Sequence, residues 1–320
     1  MRLPDLPVTQ ALPELRAALQ QGHAVLTAPP GSGKTSVVPL ALLDESWLQG
    51  RRILMLEPRR PAARMAARRL ARIAGGEPGG LVGYQVKLDR RIGADTRIEV
   101  VTEGILTRRL QSDPTLEEVG LVIFDEFHER NLQADLGLAL CLDVCVGLRD
   151  DLRLLPMSAT LDAAPLCDLL GARHVAASGR QYPVEIRYLD AHDRREPLQV
   201  LPSLVRKALR ESDRDILVFL PGRGEIERLA EQLASDCAAQ DAVLERRHGD
   251  LPAAQQVRIL VRPADVPRRV IHSTDLADSS VTIEGVGCVV DSGWARKPRF
   301  DPNSGMTRLQ RQPVSAASAE

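Results

Sequence analysis

Short apolar runs rich in β-branched residues alternate with helical patterns along almost the whole of this 320-residue chain. That alternation is the mark of parallel sheets, because parallel strands need a crossover segment, usually a helix, to connect them. In the first half the predicted strands are His23–Ala28, Ile53–Glu57, Arg97–Thr102, Leu121–Glu126 and Arg153–Ser158. Between them the periodicity predicts helices over Lys34–Leu43, Arg60–Ile73, Glu103–Leu110, Leu132–Leu148 and Asp162–Leu170. Turn residues then cluster at Ser178-Gly179-Arg180-Gln181-Tyr182-Pro183, and the expected domain boundary falls there, giving domains of 1–179 and 180–320. The pattern restarts with strands Val184–Leu189, Asp215–Leu220, Ala242–Arg246, Arg269–Thr274 and Gly287–Asp291, and helices near Leu198–Arg210, Glu225–Cys237 and Pro252–Val261. One α/β fold used twice in tandem is the expectation. The tail from Arg296 to Glu320, with Pro298, Pro302 and Pro313, reads as less regular.

With 44% hydrophobic and 27% charged residues the chain can bury sizeable cores, which excludes a disordered or disulfide-stapled class. The net charge of -1 hides an uneven distribution. Residues 51–110 carry 14 Lys or Arg against 6 Asp or Glu, and residues 111–151 carry 2 against 10. The first stretch can attract a polyanion and the second can hold a cation. Five scattered cysteines without a Cys-x-x-Cys pair predict a reduced, cytoplasmic thiol set. The longest apolar stretch, Leu136 to Leu148, contains Asp143 and is too short for the ~30 Å of a bilayer core, so no membrane partner is expected.

Ala28-Pro29-Pro30-Gly31-Ser32-Gly33-Lys34-Thr35 follows a predicted strand and opens a predicted helix, the context a phosphate-binding loop requires. Gly31, Ser32 and Gly33 would turn backbone N–H groups around phosphate oxygens at a helix N-terminus. Lys34 would neutralise the terminal phosphates of ATP, and the Thr35 hydroxyl would ligate Mg²⁺. An ordinary glycine-rich turn does not need the Lys-Thr pair. The strict pattern fails at one position, where Ala28 replaces glycine. Leu121 to Phe124 is an apolar strand delivering Asp125 and Glu126 at its carboxyl end, where ligands bind in such sheets. Asp125 is read as holding Mg²⁺ through its water shell and Glu126 as orienting and deprotonating the attacking water. His128-Glu129-Arg130-Asn131-Leu132 lacks the second histidine of a zinc protease helix, and Cys141 with Cys145 reads as core packing.

The ordered set of motifs resembles the DEAH/RHA branch of superfamily 2 ATP-dependent helicases, the bacterial HrpB-type enzymes most of all. It comprises the Gly-Ser-Gly-Lys-Thr loop, Leu56-Glu57-Pro58-Arg59-Arg60, Thr102-Glu103-Gly104-Ile105-Leu106, Asp125-Glu126-Phe127-His128, Ser158-Ala159-Thr160, Phe219-Leu220-Pro221-Gly222 and Ser280-Val281-Thr282-Ile283-Glu284-Gly285. The resemblance implies two RecA-like P-loop NTPase domains, Mg-ATP between them and a single nucleic-acid strand, RNA ahead of DNA, across both. By that resemblance Arg59, Arg60, Thr102, Glu103 and Thr274 meet the strand, His128 completes the catalytic box, and Ser158 and Thr160 couple nucleotide to domain movement. A monomer acting in the cytoplasm is the corresponding expectation. Without the family, Arg59 and Arg60 are an exposed basic pair, and Ser158 and Thr160 are cap residues for the next helix.

Two departures from the family pattern matter. Where the family shows Ala-Thr-Asn-Ile-Ala-Glu-Thr-Ser, this chain has Ser273-Thr274-Asp275-Leu276-Ala277-Asp278-Ser279-Ser280. The family's arginine-bearing Gln-Arg-x-Gly-Arg-x-Gly-Arg motif would follow directly after Glu320, so the expectation is a truncated second domain and weakened hydrolysis, since such arginines are worth roughly 10³–10⁵ in rate. These departures keep a second reading open: a non-catalytic module that binds nucleic acid or a partner under nucleotide control. A transporter ATPase or nucleotide kinase would not need the tandem second α/β domain.

Overall fold

The computed structural model describes residues 3–129, 131–159, 162–179, 183–189, 196–247, 266–274 and 283–314. The chain divides into two compact units, Met1–Val184 and Glu185–Glu320.

In the first unit the strands are β1 (Ala24–Thr27), β2 (Arg52–Glu57), β3 (Val82–Val86), β4 (Asp89–Arg91), β5 (Ile98–Thr102), β6 (Val119–Phe124), β7 (Arg153–Ser158) and β8 (Arg173–Ala176). They form one sheet in the order β4-β3-β5-β2-β6-β7-β1-β8, parallel throughout except for the β3–β4 pair at its edge. The helices are α1 (Leu12–Gln21), α2 (Lys34–Ala41), α3 (Arg60–Ile73), α4 (Glu103–Ser112), α5 (Leu132–Gly147) and α6 (Ala164–Leu170). Because successive side chains of a strand point to opposite faces, each strand serves two cores. Ile53, Met55, Leu121 and Ile123 join Val37, Val38, Ala63 and Leu70 on one face. Leu54, Leu56, Val122 and Phe124 join Leu106, Leu138 and Cys141 on the other. Small residues let α3 lie close to the sheet: it buries Ala62, Ala63, Ala66, Ala67 and Ala71, leaving Arg60, Arg68, Arg69 and Arg72 in solvent.

The second unit contains α7 (Pro197–Glu211), α8 (Arg223–Ala239), β9 (Asp215–Phe219), β10 (Ala242–Arg247), β11 (Arg268–Ser273) and β12 (Val286–Asp291). Its parallel sheet runs β10-β11-β9-β12 and buries Ile216, Val218 and Val270 against Leu201, Val205, Ile226 and Leu233. The fold is therefore two tandem α/β domains, as the alternating pattern predicts, with the RecA-like architecture that the family resemblance implies.

Some expectations need correction. Val184–Leu189 is not a strand: the alternation of Val184, Ile186 and Tyr188 looks sheet-like, but these side chains stay exposed, and no strand pairs with them among the described residues. The tail is more regular than its prolines suggest, because β13 (Trp294–Asp301) and β14 (Met306–Pro313) form an antiparallel hairpin. A two-stranded ribbon bonds each strand along one edge only, so Pro298 and Pro313 are tolerated there. Arg311 also lies over the Trp294 ring, 4.7 Å from its centroid. Helix α1 and strands β3, β4 and β8 have no counterpart in the sequence reading. The predicted helix Pro252–Val261 and the divergent Asp275 and Asp278 lie outside the described residues.

Candidate functional site

Strand order brings the key segments together. β6, β7 and β1 are neighbours, so their carboxyl ends place the Asp125-Glu126 pair, Ser158 and the glycine-rich loop side by side. The loop is anchored where Ala28 N–H donates to the Ser158 carbonyl at 2.9 Å, and Val8 N–H donates to the Ser32 carbonyl at 3.0 Å. Gly31 and Gly33 have φ of 74° and 93°, the left-handed region that glycine adopts without penalty. At Gly33 a Cβ would also come within 2.6 Å of the Leu6 side chain. At Gly31 it would meet nothing within 4 Å, so the loop is open on that side. The Ser32 hydroxyl is buried there without a hydrogen-bond partner.

Lys34 opens α2 and is buried, with Nζ 3.3 Å from Glu126 Oε1. Thr35 Oγ1 donates to Asp125 Oδ2 at 2.5 Å, while Asp125 Oδ1 accepts the Glu126 N–H at 2.9 Å. Glu126 has a φ of 50°, a strained position for a residue with a side chain. The Asp125 carboxylate on its N–H, and its own carbonyl accepting Glu129 N–H at 2.9 Å, hold it there. His128 closes the cluster, with Nε2 3.4 Å from Glu126 Oε2 and Nδ1 3.5 Å from the Ala159 amide.

Burial dominates the electrostatics. It raises the Asp125 carboxyl to about 6, helped by Glu126 and opposed by Lys34 and the Thr35 hydroxyl. It raises Glu126 too, against the pull of Lys34, and lowers His128, which Lys34 lowers further. Sequence reasoning gave no role to Glu57, the last residue of β2. It is 1% exposed, and no donor reaches either carboxyl oxygen. Burial, then Asp125 and Glu126, push it well above the usual carboxylate range. Its position at the carboxyl end of the strand beside β6 is the one signal that could have marked it.

The donor set suits Mg-ATP. An open loop with a buried, unsatisfied Ser32 hydroxyl suits phosphate oxygens, and a hydroxyl against a carboxylate suits Mg²⁺, which prefers oxygen ligands and keeps much of its water.

Residues 9–169 match the family model described as DEAD/DEAH box helicase, and residues 196–311 match the helicase conserved C-terminal domain. The chain belongs to the DEAD/DEAH box helicases. It is 48% identical over 318 residues to the ATP-dependent RNA helicase HrpB of Escherichia coli K12, covering 98% of this chain and 39% of that one. It is 34% identical over 319 residues to the ATP-dependent RNA helicase HrpA homolog of Haemophilus influenzae, covering 98% of this chain and 24% of the relative. The crystal structure of the Escherichia coli DEAH/RHA helicase HrpB superimposes with a TM-score of 0.88 at 47% identity, over 98% of this chain and 40% of that one. The chain thus spans about two fifths of HrpB.

The other helicase-motif residues are spread over both units. Arg59 precedes α3, with Nη2 3.7 Å from Glu129 Oε2, and Arg60 is exposed on its first turn. Thr102 closes β5 and Glu103 opens α4. Glu103 is not solvent-facing: its Oε1 accepts from Asn131 Nδ2 at 2.9 Å, and burial raises its carboxyl. Asn131 in turn caps α5, its Oδ1 accepting the Gln133 and Ala134 amides at 3.0 Å. Ser158 is buried at the end of β7. Thr274 follows β11 in the second unit, buried, with its hydroxyl unpartnered. Thr160 lies outside the described residues. The five cysteines are free; Cys141 and Cys145 are buried in the core of α5, and burial raises both thiols. No helix among the described residues is long and apolar enough to cross a membrane.

Proposed function

We propose that the first unit binds and hydrolyses Mg-ATP, and that the chain is the motor portion of a DEAH-type RNA helicase, working as a monomer in the cytoplasm. The convergence of Lys34, Thr35, Asp125 and Glu126, from two segments 90 residues apart, carries this reading. Gly31, Ser32 and Gly33 cradle phosphate oxygens through backbone N–H groups. Lys34 then exchanges its contact with Glu126 for the terminal phosphates. Thr35 and Asp125 would hold Mg²⁺, whose charge, when bound, would offset that of the phosphates. Freed from Lys34, Glu126 orients the attacking water and accepts its proton, and its constrained backbone keeps the carboxylate in place. His128 and Ser158 tie this cluster to the Ala159 turn and carry its state, with Thr160, to the rest of the protein. RNA is the proposed partner, with Arg59, Arg60 and Thr102 contacting phosphates in the first unit and Thr274 in the second. Phosphate contacts of this kind are sequence-independent and weaken with salt. Glu103, held by Asn131, positions that surface.

The test is single-turnover hydrolysis of bound ATP by the wild type and Glu126→Gln. Retained ATP binding with hydrolysis slowed at least about 100-fold is the expected result, the scale of a lost general base. Equal rates would mean that Glu126 is not the base, and no hydrolysis by either would favour the nucleotide-regulated binding module.

A further inference from the structure

We propose that Glu57 is a positioning residue of the divalent-cation site, accepting hydrogen bonds from the water shell of the cation. The inference rests on the reading of Thr35 and Asp125 as the pair that holds Mg²⁺, and adds a third side chain to it.

Leu56 pairs with Phe124 across β2 and β6, and Asp125 N–H extends that ladder by donating to the Leu56 carbonyl at 3.1 Å. Glu57 and Asp125 are therefore next to one another at the carboxyl edge. They continue the alternation of Ile53 and Met55, and of Leu121 and Ile123, whose side chains share the face covered by α2. That helix begins with Lys34 and Thr35.

A carboxyl that is 1% exposed and reached by no donor is costly in a folded protein. The local donors are already engaged: the Thr35 hydroxyl and the Glu126 amide both go to Asp125, and Lys34 goes to Glu126. Three acids, Glu57, Asp125 and Glu126, thus share one lysine. What the cluster lacks is positive charge and O–H donors, and a hydrated Mg²⁺ brings both, since it keeps several of its waters when bound beside phosphates. Among the described residues no three His, Cys, Asp or Glu side chains are placed to ligate one metal ion together. With Thr35 and Asp125 as the pair beside the cation, the place left for Glu57 is the outer coordination sphere. A carboxylate there would fix the orientation of the cation's waters, and with it the position of the cation against Asp125.

The test uses the full chain with saturating ADP and Mn²⁺ as the probe, bound Mn²⁺ being counted by electron paramagnetic resonance. Glu57→Gln keeps the shape of the side chain and removes the carboxylate it would present to the cation's waters. Expected is Mn²⁺ affinity about 10-fold weaker than wild type, the scale of losing an outer-sphere partner, with ADP affinity in EDTA and the melting temperature unchanged or raised. Glu57→Asp, which restores the charge one methylene short, should recover part of the Mn²⁺ affinity; failure to exceed Glu57→Gln would count against the proposal. Mn²⁺ affinity equal to wild type in Glu57→Gln overturns it. Asp125→Asn separates the two levels. If Asp125→Asn loses Mn²⁺ while Glu57→Gln does not, only the role of Glu57 falls. If Asp125→Asn binds Mn²⁺ as the wild type does, the Thr35–Asp125 site falls and takes the proposal with it.

Discussion

In the first unit a cluster of buried acids stands at the carboxyl ends of the strands: Glu57 closes β2, while Asp125 and Glu126 follow β6; Glu99, near the amino end of β5, is buried too but paired with Arg52 and Arg109. In the second unit Arg247, which closes β10, is buried, and the buried ion pair stands at the opposite ends. Asp215 is the first residue of β9 and Arg269 the second of β11, and both are buried, with Nε of Arg269 2.7 Å from Asp215 Oδ2. Arg269 N–H donates to Asp215 Oδ1 at 2.9 Å, and Nη2 donates to the Glu284 carbonyl at 2.7 Å. This pair satisfies itself, whereas the acids of the first unit outnumber their donors. Ligands of parallel sheets bind outside the carboxyl ends. Charge buried there and left short of partners is set up for a ligand, and charge buried and completed at the amino ends serves the fold.

The sharpest way to break this contrast is to remove a partner in the second unit. Arg269→Leu would leave Asp215 buried without its cation, a change that costs about 3–5 kcal/mol, and Asp215→Leu combined with Arg269→Met should recover most of it. Urea denaturation of the full chain measures both. A loss below about 1 kcal/mol for the single variant would mean that the pair is not structural in this sense.

A smaller effect is expected from pH, with opposite sign in the two units. His272, buried in β11, is pushed by burial down to about 4, so the fold holds it neutral while the unfolded chain takes up a proton from about pH 6.5 downward. Its contribution is therefore complete above pH 6.5 and lost as the pH falls toward 4. Asp125 is raised from 3.8 to about 6, so its contribution is complete below pH 3.8 and lost as the pH rises through 6. Each effect amounts to at most about 3 kcal/mol. Denaturation at pH 5 and pH 7 should show His272→Leu gaining stability over wild type at pH 5, and Asp125→Asn gaining over wild type at pH 7. Parallel responses from the two variants would remove the distinction.

The same contrast explains what could be read from the sequence. The strands and helices around the glycine-rich loop were legible because hydrophobic periodicity and turn residues coincide there, and the Lys34-Thr35 and Asp125-Glu126 pairs each stand next to a predicted strand or helix end. Glu57 was not legible, since its role depends on β2 lying beside β6, a neighbour relation that local spacing does not encode. Asn131 was hidden for the same reason, its link to Glu103 being 28 residues distant in the chain. Strand β8 and the β3–β4 edge are short, and His174 and Arg173 break the apolar run of the former. The exposed Val184–Leu189 segment shows the reverse error, in which alternation is present and a pairing strand is not.

The central claim is that the carboxyl edge of the first unit is a nucleotide site, and equilibrium ATP binding in Mg²⁺ by the full chain and by Lys34→Ala tests it most directly. Lys34 is a buried cation for which the proposed partner is phosphate, and its loss should weaken ATP at least about 100-fold, the cost of removing one partner from a buried charge pair. Equal affinity for ATP in the two proteins would contradict the assignment.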